Sequence, residues 1–353
     1  MSPRASVALE RRAILSSSVA APTSAPSSAA ANALIVDAVA GLTASPKRLP
    51  SRYLYDALGS ALFEAICRLP WYEVTRAEQR LLDAHAPAIC ARANPRLVVE
   101  LGPGSGEKLA TLMRPAAAAH PLHLHLIDIS PAALDQASRT LGQLAQTRIT
   151  TSVATYEDGL RDFASMRSLR TAGPFSASPI AIHGGRAMVL FLGSNIGNFD
   201  PADAQALLSQ IRAALEPGDT LLLGLDLVKP ESVLRLAYDD PLGVTAAFNR
   251  NLLVRLNAEI GADFDVDRFA HAVRWDEAAS RVEMHLVSRG AQTVHLRQAA
   301  CTIAFDDGES IWTESSYKYE LDDAAELGAV SGFRVRDQWV DLLGRFALTL
   351  FEA

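Results

Sequence analysis

A glycine-rich turn directly after a short apolar segment is the feature that most constrains the fold of this chain. The apolar segment is 97–101 (LVVEL), and it leads through Gly102, Gly104 and Gly106 into a segment with helical spacing that starts at Glu107. Glycines let the backbone turn sharply and bring its N–H groups close to a ligand. A dinucleotide-binding turn, G-x-G-x-x-G, would need a glycine at position 107, so the observed spacing does not match that pattern.

The chain after this turn alternates between apolar strand candidates and amphipathic helix candidates. Strands are predicted at 97–101, 122–128, 149–154, 187–192 and 220–225, and helices at 107–113, 131–141 and 200–215. The alternation predicts an α/β fold, in which a mostly parallel, Rossmann-like sheet carries helices on both faces. Residues 281–288 and 293–305 alternate in polarity and predict an antiparallel pair, and 334–351 predicts a terminal hairpin on the main sheet.

Composition restricts the ends, the environment and the partners of the chain. Residues 1–32 are rich in Ala, Ser, Pro and Arg and predict a disordered tail, and 164–185 reads as a long Gly/Ser/Pro-rich loop. The net charge of −7 argues against a nucleic-acid binder, and no run of about 18 apolar residues predicts a membrane span. Three widely spaced cysteines form neither a disulfide framework nor a zinc motif, which suits a reducing cytoplasm.

The glycine turn and a later acidic residue together suggest a cofactor. Asp128 ends the second predicted strand, where a carboxylate can accept hydrogen bonds from both hydroxyls of a ribose. The E-x-G-x-G-x-G spacing that starts at Glu100 resembles motif I of Rossmann-like S-adenosylmethionine (SAM) methyltransferases. Two other interpretations stay open at this point: a turn that serves backbone geometry alone, and a nicotinamide-dependent dehydrogenase.

Two further polar segments are candidates for substrate contacts. The segment FLGSNIGNF follows the fourth strand at the edge where α/β sheets bind ligands, although Asn198 or Asp200 could instead cap the next helix. In the segment TESSYKY, Glu314 and Ser316 point to the same face of an extended chain and could bind a ring with two nitrogens. The alternative is an ordinary surface strand with Glu–Lys pairing.

Four long motifs give the chain a resemblance to a known family. They are RYLYDALGS at 52–60, LPWY with TRAE at 69–78, the FLGSNIGN turn, and YDD…GVTAAFNRN at 238–251. From about Val39 to the C-terminus, the chain resembles the histidine Nα-methyltransferases of ergothioneine biosynthesis. The resemblance implies a SAM-binding methyltransferase domain at 76–227 plus 318–353. It also implies a second, family-specific α+β substrate-recognition domain at 33–75 plus 228–317.

The resemblance implies roles for individual residues. The residues expected to bind the cofactor are Gly102, Gly104, Gly106, Lys108, Asp128, Thr155 and Tyr156. The residues expected around the substrate are Tyr55, Tyr72, Asn198, Tyr238, Met284, Glu314 and Ser316. In that set, Asn198 and Tyr238 match residues that hold the carboxylate, Tyr55 matches one near the α-amine, and the other four match residues around the imidazole. Thr155 stands where the family often has an acidic residue beside the adenine, and Tyr156 keeps the aromatic ring that follows.

The implied reaction is the SAM-dependent Nα-trimethylation of L-histidine to hercynine, without a metal. Tyr55 is the candidate catalytic residue, which would orient the amine or relay its proton, and positioning would supply most of the rate. Two alternatives stay open: a SAM enzyme of the same architecture that acts on tryptophan or tyrosine, and a non-catalytic SAM-binding protein. The expected partner is a small-molecule substrate, without nucleic acid or membrane, and the expected form is a cytoplasmic monomer.

Overall fold

The structure of the protein, a computed structural model, describes residues 28–168 and 185–353. In chain order its strands are Lys47–Arg48 (β1), Pro95–Leu101 (β2), Leu122–Asp128 (β3), Thr147–Val153 (β4), Arg186–Phe191 (β5), Thr220–Asp226 (β6), Phe269–Asp276 (β7), Arg281–Ser288 (β8), Gln292–Leu296 (β9), Cys301–Phe305 (β10), Ser310–Tyr317 (β11), Arg334–Asp341 (β12) and Phe346–Glu352 (β13). Its α-helices are Ser28–Thr43 (α1), Ala57–Cys67 (α2), Glu73–Ala93 (α3), Glu107–Ala119 (α4), Pro131–Leu141 (α5), Tyr156–Ser168 (α6), Pro201–Ala213 (α7), Glu231–Tyr238 (α8), Val244–Ile260 (α9) and Asp323–Val330 (α10).

Seven strands form the central sheet, in the order β12-β13-β6-β5-β2-β3-β4. The strands β2 to β6 are parallel, and β13 joins β6 in the antiparallel direction with β12 beside it. Strand β6 is buried along its whole length because helices cover both faces of the sheet. Helices α3, α4 and α5 pack on one face, and α6, α7 and α10 pack on the other. The predicted α/β fold with its terminal hairpin is therefore confirmed.

A second, four-stranded sheet lies beside the first, in the order β1-β11-β8-β7. Strands β7, β8 and β11 are antiparallel, β1 is parallel to β11, and β9 and β10 form a separate hairpin. Helices α1, α2, α8 and α9 pack around this sheet, and its apolar residues share one buried cluster with a face of the central sheet. Just after β11, the N–H of Tyr319 donates to the carbonyl oxygen of Asp226 at 3.1 Å, which joins the two sheets at the end of β6.

Three sequence predictions of local structure are wrong. Helix α1 begins at Ser28, so residues 28–32 are helical instead of part of a disordered tail, because the alanine-rich segment favours a helix. Residues 164–168 belong to α6, which sequence analysis missed because the helix presents few apolar residues. Residues 1–27 and the remainder of the predicted loop, 169–184, lie outside the described residues.

The third wrong prediction concerns the antiparallel pair expected within 281–305. Strand β8 pairs with β7 on one side and β11 on the other, whereas the two halves of 293–305 pair with each other as β9 and β10. Alternating polarity identifies a strand with one buried face, but it does not identify the neighbouring strand. The segment 281–288 thus lies in the middle of the second sheet, where it contributes to the site described next.

Candidate functional site

The glycine turn between β2 and α4 contains three glycines with positive φ, and each has different surroundings. A Cβ atom on Gly102 (φ +71°) would lie 2.7 Å from the hydroxyl oxygen of Tyr156, so only glycine allows this approach. At Gly104, apart from Gly104 and its two chain neighbours, no described residue has a heavy atom within 4 Å of the Cβ position, and the turn faces open space there. A Cβ atom on Gly106 (φ +78°) would lie 3.0 Å from the Cα atom of Ala137, which shows that Gly106 allows α4 to pack closely on α5.

An open cleft of about 810 Å³ lies at this edge of the sheet. Five of the residues predicted to bind the cofactor line it: Gly102, Gly104, Asp128, Thr155 and Tyr156. The Asp128 carboxylate lies at the end of β3 and accepts a hydrogen bond from the N–H of Ser130 at 2.8 Å. Burial raises the pKa of Asp128, although the N–H groups of Ser130 and Ile129 act in the opposite direction. The cleft therefore presents a fixed carboxylate beside an open glycine turn.

Two predicted cofactor residues, Gly106 and Lys108, are not among the described residues that line the cleft. The Nζ atom of Lys108 lies 2.5 Å from Oε2 of Glu78, whose side chain is completely buried. Both carboxylate oxygens of Glu78 also accept the N–H of Gly193, at 2.8 and 3.0 Å. Lys108 and Glu78 thus support the turn that follows β5. Glu78 was not predicted as a site residue from the sequence, although it is the last residue of the TRAE motif.

A smaller cavity, the inner pocket, lies beside the cleft, and every residue predicted to contact the substrate lines it. These residues are Tyr55, Tyr72, Asn198, Tyr238, Met284, Glu314 and Ser316. They come from six separate places: the turn before α2, the start of α3, the turn after β5, the end of α8, and strands β8 and β11. Tyr55, Asn195, Asn198 and Glu314 line both cavities, so the two spaces meet there.

Strand β11 turns two polar side chains into this inner pocket. Glu314 is 8% exposed and Ser316 is 6% exposed, and Met284 of β8 lies opposite Glu314 in the strand register. The alternative of an exposed surface strand is therefore wrong. Asp200 takes the N-cap position of α7, but among the described residues its Oδ1 accepts the hydroxyl of Tyr317, at 2.9 Å, and no N–H of the helix. Helix capping does not account for this turn.

Glu314, which is buried, and Tyr55, which is partly buried, form a hydrogen-bonded pair at the point where the two cavities meet. Burial raises the pKa of Glu314 to about 7, while the positive charge of Lys318 and a hydrogen bond from Tyr55 oppose that shift. Burial and the nearby Glu314 charge together raise the pKa of Tyr55 well above its usual value. Tyr55 therefore stays a neutral phenol that donates its proton, and Glu314 can gain or lose a proton near neutral pH.

The sequence profile of a family described as "Histidine-specific methyltransferase, SAM-dependent" matches residues 34–353 of this chain. The chain belongs to this family. It is 39% identical over 323 residues to the histidine N-alpha-methyltransferase of Mycolicibacterium smegmatis, a match that covers 91% of this chain and 95% of that protein. It is 38% identical over 320 residues to the protein of that name from Mycobacterium tuberculosis, with 90% and 94% covered.

A third relative is Ergothioneine biosynthesis protein 1 of Schizosaccharomyces pombe, which is 28% identical over 256 residues. That match covers 70% of this chain and 31% of the longer protein. The family resemblance inferred from the sequence motifs is therefore confirmed, and the chain is a SAM-dependent methyltransferase.

The cleft of this histidine-specific methyltransferase fits its cofactor. The open backbone at Gly104 leaves room for a ligand next to the helix N-terminus, and Asp128 offers a carboxylate to hydroxyl groups. Within residues 28–168 and 185–353, no group of three or more His, Cys, Asp or Glu side chains could hold a metal ion. In the same part of the chain, no helix is long and apolar enough to cross a membrane.

Lys318 is a buried cation of the methyltransferase pocket that was not predicted from the sequence. Its Nζ atom donates to Tyr238 Oη and to Ser316 Oγ, both at 2.8 Å, and lies 2.9 Å from Oδ2 of Asp226. A signal for it was available, because Lys318 follows Ser316 by two residues and so shares its face of an extended chain. Its partner Asp226 ends β6, at the same edge of the sheet as the rest of the site.

Aromatic rings form the apolar wall of the same pocket, and sequence analysis missed two of them. The rings of Phe63 and Phe248 each contact Tyr55 edge-on, with centroids 5.5 Å apart. The ring of Tyr72 contacts Tyr238 in the same manner, at 6.2 Å. A pocket with several hydroxyls, one carboxyl group and several ring faces can hold a small polar ring together with a cation.

Proposed function

We propose that this protein transfers one methyl group from each of three SAM molecules to the neutral α-amine of L-histidine, which loses two protons, and so forms hercynine in the first step of ergothioneine biosynthesis. The observation that carries this proposal is the buried pair Glu314 and Ser316, in a pocket that opens through Tyr55 and Asn198 to the cofactor cleft. An imidazole has one N–H and one ring lone pair, which a carboxylate and a hydroxyl can match. The names of the mycobacterial relatives support the same substrate.

We assign the cofactor to the open cleft. Asp128 would hold the ribose hydroxyls, Tyr156 and Thr155 would flank the adenine, and the turn at Gly102 and Gly104 would lie against the rest of the molecule. When bound, SAM supplies an electrophilic methyl group on a sulfonium. Lys108, in contrast, does not line the cleft, and through Glu78 it supports the turn that follows β5.

The inner pocket would position the amino acid for reaction. Asn198 and Tyr238 would bind its carboxylate, and Tyr55, which borders both cavities, would orient its amine. The amine must be neutral to react, and the raised pKa of Tyr55 favours a hydrogen-bonding phenol over a phenolate base. Good positioning of two reactants can lower the activation barrier by about 7–11 kcal/mol. The tyrosine rings would also tolerate the fixed positive charge of the product.

The domain division follows from this assignment. We propose that 33–75 and 228–317 form the substrate-recognition domain, which includes the four-stranded sheet and helices α8 and α9. The SAM-binding methyltransferase domain would then comprise 76–227 and 318–353, which include the strands of the central sheet. Glu314 and Met284 belong to the first domain, and Asp128 belongs to the second.

Mass spectrometry of the purified protein with SAM and a panel of amino acids tests the proposed function. We expect histidine to gain three methyl groups and tryptophan and tyrosine to react far more slowly. A preference for tryptophan or tyrosine would contradict the assigned substrate, and the absence of methyl transfer to any amino acid would contradict the assigned reaction.

The carboxylate at the end of β3 gives a prediction about cofactor binding. Asp128→Ala should weaken SAM binding by about 1–3 kcal/mol, because charge-assisted hydrogen bonds to the ribose would be lost. Isothermal titration calorimetry measures this change, with Asp158→Ala as a control in which an exposed carboxylate on α6 is removed. Unchanged SAM affinity in Asp128→Ala would contradict the ribose assignment.

The residues assigned to the substrate carboxylate give a second prediction. Asn198→Ala and Tyr238→Phe should each raise the KM for histidine and leave SAM affinity nearly unchanged, since both contacts would be made to the amino acid. Steady-state kinetics and calorimetry separate the two effects. Histidinamide lacks the carboxylate and should be a poor substrate, so methylation of histidinamide as fast as histidine would argue against these contacts.

A further inference from the structure

The ammonium group of Lys318 is buried between two hydroxyls of the inner pocket and one carboxylate. It contacts Tyr238 Oη, Ser316 Oγ and Asp226 Oδ2 at 2.8, 2.8 and 2.9 Å. The side chains of Lys318 and Asp226 are each only 1% exposed. Asp226 also accepts Lys229 at 2.6 Å, so two cations share this carboxylate. Burial disfavours the ammonium, but Asp226 and Tyr238 outweigh it and raise the pKa of Lys318 above its usual value.

This arrangement fixes the direction of both hydroxyl protons. A charged lysine has three N–H donors and no lone pair, so Tyr238 and Ser316 can only accept from it. Each hydroxyl must therefore turn its own proton away from Lys318. In the structure, Tyr238 donates to Ser316 Oγ at 2.8 Å. The hydrogen bonds from Tyr238 and Lys318 together use both lone pairs of the serine oxygen. The Ser316 proton is then the group that this hydroxyl can offer to a ligand.

We propose that Lys318 is a positioning residue that makes Ser316 and Tyr238 hydrogen-bond donors toward the bound amino acid. This inference rests on the proposed function, in which Ser316 meets a ring nitrogen and Tyr238 meets the carboxylate. Ser316 donates to the ring nitrogen that carries the lone pair, and the other ring nitrogen keeps its N–H for Glu314. Tyr238 has a single proton, so when it turns that proton to the substrate carboxylate it frees one lone pair of Ser316, while both hydroxyl oxygens still accept from Lys318.

Two consequences follow for substrate recognition. Lys318 and Glu314 together favour the neutral imidazole in one orientation, because Glu314 accepts the ring N–H and the ring lone pair then faces the Ser316 proton, which Lys318 keeps directed away from itself. The same ammonium also supports the contact to the carboxylate through Tyr238, so that one side chain serves recognition at both ends of the amino acid. The loss of Lys318 should therefore affect histidine binding much more than cofactor binding.

A double-mutant cycle on histidine binding tests this inference. Lys318→Met keeps the length of the side chain without its charge, and we expect it to raise the KM for histidine about 10- to 100-fold. The value of kcat should change less, and SAM affinity should be unchanged. In a Ser316→Ala/Tyr238→Phe background, the same substitution should raise the KM less than about threefold, because the hydroxyls on which Lys318 acts are gone.

The chain offers a matched control in Lys229. Lys229→Met removes the other ammonium bound to Asp226 but touches neither hydroxyl, so it should change the KM for histidine less than about threefold. A second variant, Lys318→Met/Asp226→Asn, also removes the carboxylate charge that Lys318 neutralises. This double variant should show the rise in KM expected for Lys318→Met, and it can be assayed if Lys318→Met alone is too unstable.

The possible results separate this inference from the proposed function. An equal rise in KM from Lys318→Met in both backgrounds, or an equal rise from Lys229→Met, would mean that Lys318 only supports the fold and would overturn the inference. Either result with a wild-type protein active on histidine would leave the proposed function intact. A wild-type protein that methylates another amino acid but not histidine would overturn both.

Discussion

Glu314→Ala is expected to remove most of the activity on histidine and, together with Met284→Val, to shift the preference toward tryptophan. The single substitution should cost about 2–4 kcal/mol in kcat/KM, the scale for a lost charge-assisted hydrogen bond plus an unpaired ring N–H. The kcat/KM for tryptophan should fall less, because an indole cannot bind the carboxylate as an imidazole does and needs the space that the substitution leaves. Met284 lies opposite Glu314 in the strand register, so Met284→Val widens the same end of the pocket.

The ratio of kcat/KM for histidine to kcat/KM for tryptophan is the quantity to measure, in the wild type and in the double variant. Glu309→Ala is the matched control, since it removes a carboxylate at the beginning of β11 that pairs with Lys47 outside the pocket. The control should leave the ratio unchanged. An unchanged ratio in the double variant would mean that neither Glu314 nor Met284 determines which substrate ring is bound.

Glu78→Ala is expected to lower the free energy of unfolding much more than the loss of a partly exposed carboxylate on the same helix. It removes a completely buried carboxylate, and it leaves Lys108 and the N–H of Gly193 without their partner. Breaking a buried ion pair from one side costs about 3–5 kcal/mol, and the partial exposure of Lys108 places the expected loss toward the lower value. Because the turn at Gly193 borders the inner pocket, histidine binding should weaken as well.

Urea unfolding measures the change in the free energy of unfolding. Glu73→Ala on the same helix is the control: its carboxylate is partly exposed and pairs with Arg76 and Arg80, so its loss should cost less than about 1 kcal/mol. Glu78→Gln keeps an oxygen for Gly193 and should be milder than Glu78→Ala. Equal stability of Glu78→Ala and Glu73→Ala would show that the buried pair does not hold the turn.

Much of the central sheet follows from short-range signals that the sequence displays directly. The apolar run at 122–128 and the helix at 131–141 have the predicted bounds. Pro131 opens that helix, and Ser130 caps it by accepting the N–H of Ala133 at 3.3 Å. The period of two along a strand likewise predicts that Glu314 and Ser316 share a face, and both line the inner pocket.

The ion pairs that support the site residues could not be predicted in this way. Lys108 meets Glu78 across two helices, and Lys318 meets Asp226 across two sheets, so each pair depends on how distant elements pack. A period or a cap signal describes one element and its immediate neighbours. The pairing of β8 was misjudged for the same reason, because polarity shows that a face is buried but not which strand lies beside it.

The alternation of faces along β11 has a consequence for how such enzymes diversify. The side chains assigned to the substrate ring, Glu314 and Ser316, lie on one face of a single strand, while Tyr317 on the other face contacts Asp200. The assigned cofactor residues lie on separate turns of the central sheet. A lineage can therefore exchange side chains on one face of this strand and accept a new amino-acid substrate, while the assigned SAM-binding residues stay unchanged. Laboratory evolution of new N-methylated amino acids could begin from a small library limited to that face and its neighbour Met284.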